Sequence, residues 1–194
     1  MARPLSPSQT AMSAPERRTL TTVFGSLWVV YLVNSLLLGG ALVNFGIVPR
    51  TLTGLIGVIA APFLHASLMH ILANTLVGLP SALAVLRRGQ REFLGVTVFT
   101  ALTSGLSVWL FGSAMTLTVG FSGVLFGYLG YLFGLMWARG PYDPPARGPA
   151  LRSLVFALLL SLLPGISFTA HLGGLLGGIA LVLLRAQVMR SRIR

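Results

Sequence analysis

Six charge-poor apolar stretches follow one another along this chain, and their lengths decide which solvent it can fold in. They run from about Thr22 to Val43, Pro62 to Leu86, Phe93 to Leu110, Val119 to Ala138, Leu151 to Leu163, and Phe168 to Leu184. About 20 apolar residues cross a bilayer core as a helix. Five stretches reach about 17 residues or more and the fifth in order has about 13. Backbone polar groups inside a bilayer must be satisfied within the chain itself, so spans of this length read as helices. Composition agrees, with 55% of the 194 residues apolar and 9% charged, far from the balance of a soluble domain. The expected fold class is therefore all-α: a polytopic membrane protein with six transmembrane helices in one bundle. The first stretch is too long for the apolar core of a signal peptide and lacks a small-x-small cleavage site, so it is expected to be retained. Residues 1–21, rich in Pro, Ser and Thr, read as a disordered tail, 22–187 as the helical domain and 188–194 as a basic tail.

A formal charge of +11 would point to nucleic acid in a soluble chain. Here the placement of the charge gives a different answer. Arg3, Arg17 and Arg18 precede the first span. Arg87, Arg88 and Arg91 follow the second, and Arg139, Arg147 and Arg152 surround the gap after the fourth. Arg185, Arg190, Arg192 and Arg194 close the chain, and Arg50 alone of the 14 basic residues falls in an intervening gap. Basic residues confined to alternate gaps follow the positive-inside pattern, which puts both termini in the cytoplasm and makes the bilayer, not nucleic acid, the partner. The short fifth stretch could be re-entrant, but parity favours a crossing, since otherwise the arginines of the C-terminal tail would lie outside. With no cysteine, neither a disulfide framework, a thiolate metal site nor a cysteine nucleophile is available.

Polar side chains in hydrocarbon are costly, so each one inside a span needs a reason. His65, His70 and Asn74 lie early in the second span, Ser122 opens the fourth within Gly120-Phe121-Ser122-Gly123, and His171 opens the sixth. With the N-terminus inside, these three spans all enter from the outer face, so the polar set shares one depth. Gly123, Gly127, Gly130 and Gly134 mark one stripe of the fourth span, and His171 shares a face with Gly174 and Gly178. Gly173 and Gly177 form a neighbouring stripe. Two helices packed along such faces would bring Ser122 beside His171. A serine hydroxyl needs an adjacent base to attack a carbonyl, and neutral His171 can supply it. The oxyanion that forms needs preorganised donors. Helix N-termini leave backbone N–H groups unpaired, and His70 with Asn74, four residues apart on one face, can add side-chain donors. The acids are Glu16, Glu92 and Asp143, all in gaps assigned to the cytoplasm, so a Ser-His dyad is expected, not a triad with an acid.

Taken singly, these signals are ordinary. A serine after glycine in a membrane helix usually packs or bonds back to its own turn, and glycine stripes are common helix contacts. A single intramembrane histidine can bridge helices. Asn34, Ser35, Ser104 and Ser107 read as packing or hydration residues. His65 and His70 are five residues apart, an awkward helical spacing for a metal, and no carboxylate joins them, so no metal is expected.

Together the segments carry more. Phe63-Leu64-His65-Ala66-Ser67-Leu68-Met69-His70-Ile71-Leu72-Ala73-Asn74, then Gly120-Phe121-Ser122-Gly123, then Ala170-His171-Leu172-Gly173-Gly174 with Gly178, resemble in order and spacing the signature segments of the rhomboid intramembrane serine proteases. The resemblance covers all six spans. It implies a rhomboid-like bundle that cleaves single-pass or otherwise membrane-anchored proteins at or near the outer end of their transmembrane segment, usually after a small residue, without metal or cofactor. Ser122 would match the family's nucleophile and His171 its base. His70, Asn74 and the Ser122 backbone N–H would match its oxyanion hole. His65, Gly120, Gly123, Phe126, Gly174 and Gly178 would support that set. The family's mobile gate would correspond to Leu151 to Phe168, where Pro164-Gly165 suits a flexible cap. Two departures stand out. The gap from about Asn44 to Ala61 is short and lacks the Trp-Arg pair of many relatives, and Phe126 stands where a tyrosine often packs on the histidine.

Three functions fit a polytopic chain with these features: a membrane hydrolase, an inactive rhomboid-like protein that binds membrane clients, and a small transporter or channel. Inactive relatives typically lose the serine or the histidine, and both are present here. A transporter would be expected to show internal repeats or charges along a path through the membrane, and neither is found. The hydrolase is the expected reading, in a plasma membrane of bacterial type.

Overall fold

The computed structural model describes residues 11–138, 151–152, 154–155, 157–159, 161–163 and 165–191. Arg3, Arg139, Asp143, Arg147, Pro164, Arg192 and Arg194 lie outside the described residues. Within them the fold is helical, with one isolated antiparallel bridge between Ile47 and Thr118.

The first helix, α1 (Ala14–Leu36), starts well before the expected span, so the tail expected to be disordered through residue 21 is helical from Ala14. The cause is local. Ser13 Oγ accepts from the Glu16 N–H at 3.4 Å, and the Glu16 carboxylate accepts from the Ser13 N–H at 2.6 Å. This is a capping box, with Pro15 in the first turn, and it satisfies N–H groups that a helix start would otherwise leave open. The helix ends at Leu36, not near Val43. Gly39 and Gly40 take positive φ, the Asn34 side-chain oxygen accepts from the Leu42 N–H at 2.8 Å, and a 3-10 turn follows at Ala41–Phe45.

A second helix, α2 (Leu52–Ala60), occupies the gap that the sequence reading left without an element. Thr51 caps it by accepting from the Gly54 N–H at 3.0 Å. Gly54, Gly57 and Val58 are its buried side, while Leu52, Ile56 and Ile59 are exposed. A Cβ at Gly57 would overlap the Gly46 backbone, which explains how so short a helix seats closely. A 3-10 turn at Ala61–Phe63 leads to α3 (Leu68–Leu86), capped by Ser67, so the second span begins at Leu68 and not at Pro62. Then come α4 (Gln90–Phe111), α5 (Ser122–Ala138) and α6 (Phe168–Ser191). Residues 151–152, 154–155 and 157–159 are also helical.

By length and composition, α1, α3, α4 and residues Phe168–Val188 of α6 are long and apolar enough to cross a membrane. With 17 residues, α5 is shorter. The outer surface is apolar: Leu36, Ile59, Leu76 and Phe111 are 71% to 75% exposed. Aliphatic and aromatic side chains facing outward over a whole bundle fit a hydrocarbon solvent.

The packing of α4, α5 and α6 is set by their small residues. A Cβ at Gly174 would overlap the Gly123 carbonyl oxygen, one at Gly178 the Gly127 carbonyl oxygen, and one at Gly134 would press on Val182. The register advances in the same direction on both helices, so α5 and α6 run parallel. On the other side of α6, Gly173 meets Ser107 and Gly177 meets Thr103, both from α4. Backbones approach this closely only where side chains are missing.

Charge gathers at one end. Arg87, after α3, lies 3.4 Å from Glu16 at the start of α1. Glu92 in the first turn of α4 accepts from Tyr131 Oη and pairs with Arg185. Arg50 lies at the opposite end, where its guanidinium donates to the carbonyls of Leu110 and Gly112 at 3.2 and 2.8 Å. A cation there suits the exposed carbonyls at the end of α4.

Candidate active site

The loop before α5 is held in place before it delivers its serine. Ile47 and Thr118 exchange backbone hydrogen bonds of 2.9 and 3.0 Å, and the Gly120 N–H donates to the Ala61 carbonyl at 2.9 Å. Gly120 has φ +121°, a conformation that residues with a Cβ rarely adopt. A Cβ there would also come within 2.5 Å of His70 Nε2. Phe121 next to it is buried, edge-on to Phe24 and Tyr128. Ser122 is the first residue of α5. The N–H groups of Val124 and Leu125 both donate to the Phe121 carbonyl, so the Ser122 and Gly123 N–H groups precede the helical ladder, where no intrahelical acceptor exists for them.

His171 sits in the first turn of α6, buried at 7% exposure. Its Nε2 lies 2.8 Å from Ser122 Oγ and its Nδ1 lies 2.6 Å from Ser161 Oγ. The Phe126 ring, one turn after Ser122, stacks on the imidazole with centroids 4.0 Å apart and planes 12° from parallel. Both nitrogens and one face of the ring are thus held. Gly123, Gly174 and Gly178 make the α5–α6 contact that sets the Ser122–His171 distance.

His70 and Asn74 approach from α3, both against the Gly120 backbone, with Asn74 Nδ2 3.6 Å from where a Gly120 Cβ would be. Asn74 Nδ2 also lies 2.9 Å from His65 Nε2. An amide nitrogen can only donate, so in this contact Asn74 is the donor and His65 Nε2 the acceptor. The rings of His65 and His70 meet edge to face at 5.1 Å. Ser122, His171, His70, Asn74, His65, Gly120, Gly123, Phe126 and Gly174 therefore gather near the starts of α3, α5 and α6, while Gly178 lies farther along α6 against Gly127 and Tyr131. Glu92 is far from the site: its partner Arg185 is fourteen residues, or roughly 21 Å of helix, from His171.

The sequence reading missed Ser161. It is buried at 2% exposure and is, with Ser153, one of two hydroxyls in the apolar stretch from Leu151 to Leu163. The rule that singled out the other residues, that a polar side chain in hydrocarbon needs a partner, applied to it equally.

The family described as the rhomboid domain matches residues 52–188. An uncharacterized protein of Mycobacterium tuberculosis is 33% identical over 188 residues, covering 90% of this chain and 77% of that protein. One of Mycobacterium leprae is 31% identical over 188 residues, with 90% and 73% covered. Rhomboid protease GlpG of Salmonella newport is 32% identical over 139 residues, which cover 67% of this chain and about half, 48%, of GlpG.

Proposed function

The chain belongs to the rhomboid family, and from that premise we propose that it is an intramembrane serine endopeptidase with Ser122 as nucleophile and His171 as general base. The observation that carries this reading is the 2.8 Å approach of Ser122 Oγ to His171 Nε2 inside a bundle whose outer surface is apolar. An apolar wall delivers membrane-anchored protein segments to the site by lateral diffusion, which makes them the substrate class. No metal or cofactor enters the reaction.

The chemistry follows from the donors and acceptors present. Ser122 Oγ attacks the scissile carbonyl carbon as its proton passes to His171 Nε2. The carbonyl oxygen takes the negative charge, and the Ser122 N–H, which precedes the helical ladder at the positive end of α5, is the proposed backbone donor to it. Asn74 has two N–H donors: one faces His65, and the other is the proposed donor to the oxyanion, with His70 beside it. His171 then returns its proton to the departing amine, and water repeats the sequence on the acyl-enzyme to release the acid and restore Ser122. Six crossings with both termini cytoplasmic, which the charge pattern and the parallel α5 and α6 support, would put this site in the outer half of the bilayer.

The test is cleavage of a single-pass substrate by purified protein in liposomes, comparing the wild type with Ser122→Ala and His171→Ala. Each variant is expected to fall to background, since members of such a pair act as a unit. Absence of both cleavage and labelling by a fluorophosphonate in the wild type would leave a client-binding protein as the better reading.

A further inference from the structure

Histidine has two neutral tautomers, and only one of them can serve Ser122. Nε2 must be bare to accept the Ser122 proton, so the imidazole proton must reside on Nδ1. Which nitrogen carries the proton is set by the partner of the other one. That partner is Ser161, whose Oγ lies 2.6 Å from His171 Nδ1 and 3.0 Å from the Ala157 carbonyl oxygen. A hydroxyl has a single proton. The Ala157 carbonyl can only accept, so Ser161 donates its proton there and presents a lone pair to His171 Nδ1–H. The chain of hydrogen bonds then runs in one direction, from Ser122 Oγ–H to His171 Nε2 and from His171 Nδ1–H through Ser161 to the Ala157 carbonyl.

We propose that Ser161 is the positioning residue of this site: it holds His171 in the Nδ1–H tautomer and fixes its ring plane, the place an acid takes in many serine hydrolases. The inference rests on the reading of His171 as the base. Two further features support it. Ser161 is among the most deeply buried side chains of the described residues, so water does not compete for Nδ1. Phe126 covers one face of the ring, which leaves rotation in the ring plane as the freedom that Ser161 removes. When His171 takes the Ser122 proton, the same Ser161 oxygen faces the imidazolium, so the contact persists through the step. A neutral hydroxyl supports that charge less than a carboxylate does.

The experiment uses the full chain in detergent with 15N-labelled histidine and the variants Ser161→Ala, Ser161→Val and Ser161→Thr. Val and Thr have the same shape and differ in the hydroxyl, so they separate hydrogen bonding from packing. The His171 ring signals, identified by their loss in His171→Gln, are expected to report an Nδ1–H tautomer in the wild type and in Ser161→Thr. In Ser161→Val and Ser161→Ala the Nε2–H form should gain population. In cleavage assays kcat should fall roughly 10- to 100-fold in Ala and Val with KM unchanged, and Thr should recover most of it. The expected loss is below the ~10⁴ seen when a serine protease loses the acid at the same nitrogen. An unchanged tautomer in both Ser161→Val and Ser161→Ala, or an unchanged kcat in both, would overturn the proposal. If the wild type neither cleaves nor labels, the protease reading fails, and the ring signals still decide the role of Ser161 on their own.

Discussion

At the residue scale the site depends on a few atoms that cannot be exchanged. Gly120 is one. With φ +121° and His70 Nε2 at 2.5 Å from the place of a Cβ, Gly120→Ala should carry about 1 to 3 kcal/mol of backbone strain and displace His70. The expected result is a lower unfolding midpoint in detergent together with a reduced kcat. Asn74 is another. Removing one oxyanion donor typically costs about 10² to 10³ in kcat, so Asn74→Ala should lose activity on that order, less where His70 compensates, while labelling by a fluorophosphonate remains detectable. An unaltered rate would remove Asn74 from the proposed oxyanion hole. Asn74 also shows why residue-level reading is incomplete: beside its proposed role in the oxyanion hole, its bond to His65 ties α3 to the loop that precedes it.

At the element scale, the fold is organised by glycine faces more than by large side chains. Helices in hydrocarbon gain little from burying apolar surface against each other, because lipid tails are as apolar as leucine, so close backbone approach supplies the contact. Gly178→Val should therefore be far more damaging than its size suggests, since its branched side chain would meet the Gly127 carbonyl and the Tyr131 N–H. Overpacking of this kind costs about 1 to 3 kcal/mol or more and should separate α5 from α6, abolishing cleavage with loss of the folded state in a denaturant titration. Gly25, in α1, is the control: nothing lies within 4 Å of its Cβ position. There Gly25→Ala should be neutral or stabilise by about 0.5 to 1 kcal/mol. If Gly178→Val unfolded no more easily than Gly25→Ala, the α5–α6 contact would not be the organiser of the site.

At the scale of the whole molecule, the charged and the reactive ends are separated. Glu16 with Arg87, and Glu92 with Arg185, lie at one end, while Ser122, His171 and His70 lie at the starts of helices that open at the other. Because the chain has no cysteine, single cysteines can report sidedness. Met115→Cys, at a position 94% exposed, should react with a membrane-impermeant maleimide on intact bacterial cells. Gln90→Cys, beside the arginines that follow α3, should react only after the membrane is opened. The reverse pattern would place the termini outside and overturn the orientation drawn from the arginines.

Periodicity and cost in hydrocarbon made much of this protein legible in advance. An apolar span must be a helix whatever its neighbours are, and a polar side chain inside one needs a partner, so the helical class and the convergence of His70, Asn74, Ser122 and His171 at one end of the bundle could be read from the chain. Local chemistry outside the spans was less visible. The capping box at Ser13 began α1 early, and α2 formed in a gap where Gly57 fits against Gly46, a contact between residues eleven apart in sequence that no pattern announces. The chain by itself determined that a serine and a histidine would share one depth. The tertiary structure decided which nitrogen of that histidine faces the serine, because the answer lies with Ser161, a hydroxyl whose role depends on a distance that neither spacing nor composition encodes.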